Sequence, residues 1–181
     1  MKTFLLTTAA ALSVAAFARA DHHESPDNVA SKTIDLGVVV SDVEASVKFY
    51  TEAIGFKVAG GFMVPAGFAK EAGLTDSKGL DIKVLTLGEG DGATKLKLMQ
   101  VGGSGGKAKN KHIDSTLGYS YITIFIKSTD AALERLVKAG VKPIAEGPVA
   151  LPDNLDPSMA LTIVRDPDGN LVELVGPKPT E

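Results

Sequence analysis

One carboxylate stands inside an otherwise apolar run near the end of the chain. Glu173 lies in residues 171–175, whose other members are all apolar, just after the tetrapeptide of residues 166–169. Pro167 fixes one φ angle and Gly169 permits a positive one, so this tetrapeptide predicts a tight hairpin turn. An unpaired charge in a buried strand is costly. Glu173 therefore indicates either a functional site or an internal ion pair, and its partner must come from elsewhere in the fold.

The first half of the chain supplies one set of elements that would position such a site. Residues 33–40 alternate as a half-buried strand does, and a helix opens near Asp42 and ends at Gly55. Three further strands are expected, at residues 56–63, 81–87 and 94–101. The long loop 65–79 is expected to hold a short helix near residues 68–72, and it would serve either as a lid over a pocket or as an ordinary surface loop.

The second half repeats this order. It predicts a strand, a helix and three strands, at residues 119–127, 130–139, 141–145, 158–165 and 170–175. The domain is therefore expected at 33–177, with module one at 33–101, a Gly- and Lys-rich linker at 102–117 and module two at 118–177. A helix would cover one face of each four-stranded unit, and the two free faces would enclose a cavity.

The first twenty residues predict a cleavable secretory signal peptide. Lys2 precedes an apolar run that is too short to span a membrane, and residues 18–20 form an A-x-A cleavage pattern. Cleavage is expected after Ala20, followed by a disordered leader at 21–32. The protein is thus expected in the periplasm or outside the cell, with no membrane association after cleavage.

Composition excludes several classes of function. The chain has no cysteine, so thiol catalysis, Cys-ligated zinc, iron–sulfur clusters and disulfides are all absent. Its net charge is −3 and falls further when Lys2 and Arg19 are removed with the signal peptide. Basic patches interleaved with aromatic residues are missing, so nucleic acid is not an expected partner.

Four segments carry a family resemblance. They are residues 36–42 (LGVVVSD), 46–50 (SVKFY), 54–56 (IGF) and 166–174 (DPDGNLVEL). The chain resembles the vicinal oxygen chelate superfamily, which includes glyoxalases, bleomycin-resistance proteins and dioxygenases, over roughly residues 33–176. The resemblance implies an α+β fold of two βαβββ modules, which form a curved mixed sheet around a pocket. Since members of this family often dimerise, it also allows a homodimer.

The same resemblance implies where a metal would bind. In this family, ligands that are usually His and Glu sit on the first and last strand of each module. These points fall on Asp35, Lys97, Tyr121 and Glu173, and only Glu173 matches. An ammonium has no lone pair to donate, and a phenol with a pKa of about 10 is a poor ligand at neutral pH. No resident cofactor is therefore expected in the pocket, although a divalent metal stays an open alternative, and dioxygenase chemistry, which needs two His and a carboxylate, is not expected.

Strand parity places all four residues on the face opposite the aliphatic stripe of each strand, and hence in the cavity. We hypothesise that Lys97 takes the electrostatic role of the metal between Asp35 and Glu173, with Tyr121 hydrogen-bonded to the cluster. Apolar neighbours on the same faces complete the expected ligand-binding set, namely Val39, Met99, Phe125 and Val175. This set suggests a small molecule with an apolar body and one charged or hydroxylated end.

Three functions remain open at this point. The first is metal-independent binding of a small molecule. The second is a glyoxalase- or epimerase-like lyase or isomerase with a rebuilt site, in which Glu173 is the base and Tyr121 or Lys97 the acid. The third is an inactive structural domain, in which the charges form an internal network. Separately, a mature N-terminus at Asp21 would place His23 third, a pattern that binds Cu(II) or Ni(II) through square-planar nitrogens.

Overall fold

Each half of the chain folds as one βαβββ-like module, in a computed structural model that describes residues 33–102, 105–106 and 111–180. Module one comprises β1 (Asp35–Val39), α1 (Val43–Lys48), a π-helical turn (Phe49–Ile54), β2 (Lys57–Val64), α2 (Ala66–Glu71), β3 (Leu80–Leu87) and β4 (Thr94–Met99). Module two comprises β5 (Tyr121–Phe125), α3 (Thr129–Lys138), β6 (Val149–Ala150), β7 (Met159–Arg165) and β8 (Leu171–Pro177).

The two sheets share one topology. Their strand orders are β1-β4-β3-β2 and β5-β8-β7-β6, so the first strand of each module lies beside its last. That pairing is parallel in both modules, whereas the remaining pairs are antiparallel. The α+β fold of two modules with mixed sheets, expected from the repeated pattern, is confirmed.

The predicted signal peptide and leader, residues 1–32, lie outside the described residues, as does part of the linker. In the ranges that the structure does describe, no helix is both long enough and apolar enough to cross a bilayer.

The helix of module one changes its hydrogen-bonding pattern halfway along. Asp42 caps its N-terminus by accepting a hydrogen bond from the amide of Ala45 at 3.0 Å. From Phe49 onwards the helix widens, and the amide of Gly55 bonds the carbonyl of Tyr50 at 3.0 Å. Gly55 ends the turn with a φ of 107°, which favours glycine. The adjacent rings of Phe49 and Tyr50 are both buried there and pack edge to face.

One buried apolar cluster runs through both modules. Sheet residues of both modules meet helix residues of both in this cluster. Its largest members are Val40, Phe49, Tyr50, Ile54, Phe56, Leu85, Leu96, Leu98, Ile124, Leu136, Val164, Val172 and Leu174. The opposite face of each sheet is the open face. It carries the residues that alternate with these core positions, including all four candidate site residues.

A buried carboxylate joins the two modules. Asp166, at the end of β7, is only 5% exposed and accepts the hydroxyl of Tyr50 at 3.0 Å. It also accepts the amides of Asp168 and Asn170 and the side-chain amide of Asn170. Burial and the nearby carboxylates raise the pKa of the Tyr50 phenol far above its usual range, so this hydroxyl remains a donor. The hairpin turn predicted at residues 166–169 thus ties module two to the module-one helix.

The prediction of a strand at residues 141–145 is wrong. This stretch is irregular, and β6 forms later, at Val149–Ala150. Only the amide of Ile144 bonds β7, at 2.9 Å to the carbonyl of Ile163. Pro143 and Pro148 have no amide hydrogen to donate, so a continuous ladder cannot form beside β7.

Removing the Tyr50 hydroxyl should weaken this junction between the modules. We expect Tyr50→Phe to lower the free energy of unfolding by about 2 kcal/mol, because Asp166 loses one donor while it stays buried. Urea denaturation followed by circular dichroism measures this change. Tyr119→Phe removes an exposed hydroxyl and should have no measurable effect, so equal stability of the two variants would contradict the role given to the Tyr50 hydrogen bond.

Candidate functional site

An ion pair occupies the open face of the module-one sheet. The ammonium Nζ of Lys97 lies 2.7 Å from Oδ2 of Asp35, and the side chains are 31% and 35% exposed. The strand register explains their meeting, because Lys97 on β4 lies directly beside Gly37 on β1, and Asp35 is two residues earlier on the same face. Since Gly37 has no side chain, the Lys97 side chain can reach Asp35 across it.

This contact changes the acidity of Asp35. The hydrogen bond from Lys97 holds the pKa of the Asp35 carboxyl below its usual value, and the charges of Lys97 and Lys95 act in the same direction, against a smaller opposing effect of desolvation. A lowered pKa stabilises the folded state above the usual pKa of an aspartate, and this stabilisation is lost as pH falls through the lowered value. At neutral pH, Asp35 is therefore an anion paired with Lys97.

Glu173 has a different partner, one that the sequence analysis did not single out. The hydroxyl of Thr123 donates to Oε2 of Glu173 at 2.7 Å, and the two residues lie side by side on β5 and β8. The signal was present in the sequence, because Thr123 lies two positions from both Tyr121 and Phe125 and so shares their face. A hydroxyl satisfies a partly buried carboxylate without a counter-charge.

The two modules thus carry different chemistry at equivalent points. Lys97 beside Gly37 in module one corresponds to Glu173 beside Thr123 in module two. Within the ranges described, Lys97 forms its ion pair with Asp35, and no ion pair to Glu173 is found within 4.0 Å. The hypothesised bridge from Asp35 through Lys97 to Glu173 is therefore formed in its first half only.

The remaining predicted ligand-binding residues differ in their exposure. Tyr121 and Phe125 lie on the open face of β5, the first about half exposed and the second largely exposed. Val175, beside Phe125 on β8, is buried. Met99 lies on the open face of β4 beside Val39.

A cavity of about 440 Å³ lies over the open face of module one. Its walls come from the ends of β1, β3 and β4, from the loop that follows α2 and from the linker, and are formed by Val39, Leu74, Thr75, Lys78, Leu80, Met99, Val101 and Gly105. Lys78 holds the loop in place by donating to the carbonyl of Gly102 at 2.7 Å. The loop at residues 65–79 thus supplies one wall, and Val39 and Met99 are the predicted pocket residues that line this cavity.

The residues at the four family positions do not fit a divalent metal. Lys97 stands where an anionic ligand would be needed, and its ammonium already occupies a carboxylate oxygen of Asp35. Across residues 33–102, 105–106 and 111–180, no three His, Asp or Glu side chains are grouped so as to hold an ion. His23, the predicted N-terminal copper or nickel ligand, lies outside these ranges.

Comparison with known proteins identifies the fold. The sequence profile described as the Glyoxalase/Bleomycin resistance protein/Dioxygenase superfamily matches residues 31–174. A glyoxalase family protein from Bacillus cereus is similar to this chain, with 21% identity and a TM-score of 0.66 over 84% of this chain and 99% of its own. A comparison with curated protein sequences found no match.

Two further solved structures share the fold at lower similarity. A glyoxylase/bleomycin resistance protein/dioxygenase domain from Frankia sp. EAN1pec has 19% identity and a TM-score of 0.52, covering 87% of this chain and 96% of that domain. Glyoxalase I from Zea mays has 18% identity and a TM-score of 0.57, covering 82% of this chain but only 45% of the maize protein. At these identities the likeness shows the fold alone.

The Asp35–Lys97 pair can be tested through the titration of Asp35. We expect Lys97→Met to raise the pKa of the Asp35 carboxyl toward its usual value of 3.8, because this substitution removes the hydrogen bond that lowers the pKa most. Carbon-detected NMR of the carboxyl group, followed from neutral to acid pH, measures the midpoint. Lys83→Met, on the other face of the same sheet, should leave it in place, and an unchanged midpoint in Lys97→Met would show that the pair does not form in solution.

Proposed function

The chain belongs to the Glyoxalase/Bleomycin resistance protein/Dioxygenase superfamily, and we propose that it is an exported member that binds a small molecule without a metal at the family's usual site. The observation that carries this proposal is the ion pair between Lys97 and Asp35 at 2.7 Å. It places a cation where the family's last-strand ligand would stand, so the positive charge of a metal is supplied by the protein itself.

The cavity on module one supports a binding role. Its volume of about 440 Å³ lies in the range of sites that hold small ligands. Five of its lining residues are apolar, while Thr75 and Lys78 supply polar groups, a mixture typical of such sites. The loop after α2 covers the cavity on one side, which would exclude water from a bound apolar group.

A rebuilt lyase or isomerase is the second candidate. The hydrogen bond from the hydroxyl of Thr123 to Oε2 of Glu173, at 2.7 Å, favours this candidate. It holds the Glu173 carboxylate on the open face of the sheet, where the carboxylate could take a proton from a ligand. Under this alternative, Glu173→Gln would abolish turnover while leaving ligand affinity nearly unchanged. Ligand retention without turnover favours binding alone, and an inactive structural domain would retain no ligand.

The binding proposal predicts that a neutral hydrophobic probe occupies the cavity. We expect N-phenyl-1-naphthylamine to bind the full chain at one site, with an affinity that EDTA does not change. Val39→Glu should weaken binding at least about tenfold, because it places a charge in an apolar wall. Fluorescence titration provides the measurement. Val137→Glu, on the exposed surface of α3, is the matched control and should bind like the unaltered chain.

Three outcomes would contradict this proposal. Binding that requires a divalent ion would show that a metal participates despite Lys97. The absence of a saturable site, or equal weakening by Val39→Glu and Val137→Glu, would show that the cavity is not the binding site.

Export is proposed on the pattern of residues 1–20, with cleavage after Ala20. Expression of the full chain in a Gram-negative host should yield a periplasmic protein that begins at Asp21, as intact-mass spectrometry would show. Ala18→Lys with Ala20→Lys removes the small residues of the cleavage pattern and should leave the precursor uncut. An unprocessed chain in the cytosol would contradict the export proposal without affecting the binding proposal.

A further inference from the structure

The open face of the module-one sheet is graded in polarity. Three rows of side chains cross it from β2 through β3 and β4 to β1, as the strand register defines them. The first row is charged or polar, the second contains a single charge among small or apolar residues, and the third is wholly apolar. These rows are Lys57–Thr86–Lys95–Asp35, Gly60–Val84–Lys97–Gly37 and Phe62–Ile82–Met99–Val39.

The charged end of this face has an excess of cations. Lys57, Lys95 and Lys97 lie on the first two rows, against the single carboxylate of Asp35. Glu89, on the following turn, pairs with Lys57 at 3.1 Å, and both of these side chains are largely exposed. Asp35 is therefore shared between Lys97, which contacts it directly, and Lys95, its neighbour across the strands. This end of the face would attract an anion.

The apolar end of the face forms part of the cavity wall. Val39 and Met99 of the third row line the cavity together with Leu80, which lies two residues from Ile82 on the same strand and face. Ile82 and Leu80 are both buried, although they lie on the open face. At the two ends of the third row, Val39 and Phe62 are exposed. The apolar surface on this end of the sheet is therefore only partly withdrawn from water, and a ligand would complete its cover.

The charged and apolar ends lie within reach of one small molecule. Lys97 and Met99 are two residues apart on one strand and face, a spacing of about 6.8 Å. The terminal methyl of Met99 lies 3.6 Å from the point where a side chain on Gly37 would begin. Met99 thus lies against the backbone beside Lys97, so apolar cover extends from the cavity to the ion pair without a bulky residue between them.

We propose that the ligand is an amphipathic anion, whose apolar body lies in the cavity against Val39, Met99 and Leu80, and whose carboxylate, sulfonate or phosphate group binds the ammonium of Lys97. This inference rests on the proposed binding function and names the chemical class of its ligand. In the free protein, Asp35 holds the place of the ligand anion. Binding replaces the Asp35 carboxylate at Lys97 with the anionic group of the ligand. The ammonium of Lys97 therefore has one anionic partner both before and after binding.

This exchange predicts opposite effects for the two partners of one ion pair. Asp35→Asn removes the competing anion and should strengthen binding of an anionic ligand. Lys97→Gln removes the cation, leaves Asp35 to repel the ligand and should weaken binding. An ion pair with a structural role alone would give no such opposition, because breaking it from either side would have the same consequence.

Two fluorescent probes isolate the charge. 1-Anilinonaphthalene-8-sulfonate and N-phenyl-1-naphthylamine have the same aromatic body, and only the first carries a sulfonate. For the anionic probe we expect Asp35→Asn to raise affinity about threefold to tenfold and Lys97→Gln to lower it by a similar factor, the range of a partly exposed charge pair. Affinity for the neutral probe should change less than about twofold in both variants. Urea denaturation of each variant verifies that it is folded.

The pair Asp81–Lys83 provides the matched control. This pair also joins an ammonium to an aspartate carboxylate on the same sheet, with Nζ of Lys83 3.6 Å from Oδ2 of Asp81. Lys83 lies beside Leu98, however, and is therefore on the opposite face from Lys97. Asp81→Asn and Lys83→Gln should leave the affinity of both probes unchanged. Equal effects of these control substitutions would show that only net charge matters, and would overturn the assignment to Lys97.

The results separate this inference from the binding proposal on which it rests. If the neutral probe binds in the cavity but Asp35→Asn and Lys97→Gln shift the anionic probe in the same direction, or leave it unchanged, the anionic class is wrong and the binding proposal stands. If neither probe binds the unaltered chain at a saturable site, both proposals fail.

Discussion

The carboxylate of Asp166 is buried at the junction of the two modules, where four hydrogen bonds hold it. Three come from its own hairpin turn and the fourth from Tyr50, on the π-helical turn of the other module. A carboxylate deprived of these donors would be costly to bury. The junction therefore fixes the module-one helix against module two, and the amide of Ser41, which bonds Asp168 at 2.9 Å, reinforces it next to β1.

The helix-covered faces of both sheets pack into one core, so the functional residues can lie only on the open faces. Successive side chains of a strand point to opposite faces of the sheet, so one strand carries both core and site residues. On β4, Leu96 and Leu98 pack in the core, and Lys97 between them lies on the open face. A substitution at such a position changes the site with little effect on the core. This separation explains how a fold can keep its architecture while the residues at its metal positions change.

The two modules differ at equivalent points. Where β4 presents Lys97 beside a glycine, β8 presents Glu173 beside a threonine, and each charge is satisfied within its own module. Lys97 has an anionic partner, whereas Glu173 has a neutral hydroxyl donor. The cavity, in turn, is lined by module one and the linker.

Periodicity, turn residues and strand parity in the sequence determined the two modules, most of their element boundaries and the face on which Asp35, Lys97, Tyr121 and Glu173 lie, because these features depend on neighbours along the chain. Partners were decided by tertiary structure. The pairing of Thr123 with Glu173 depends on the register between strands 50 residues apart, and Asp35 pairs with Lys97 because Gly37 leaves the space. Tertiary structure likewise decided that residues 141–145 form no strand. It also decided that Leu74, Thr75 and Lys78 line the cavity, because this depends on how their loop packs against a distant sheet. Such contacts join residues that no local pattern connects, so only the folded chain selects among them.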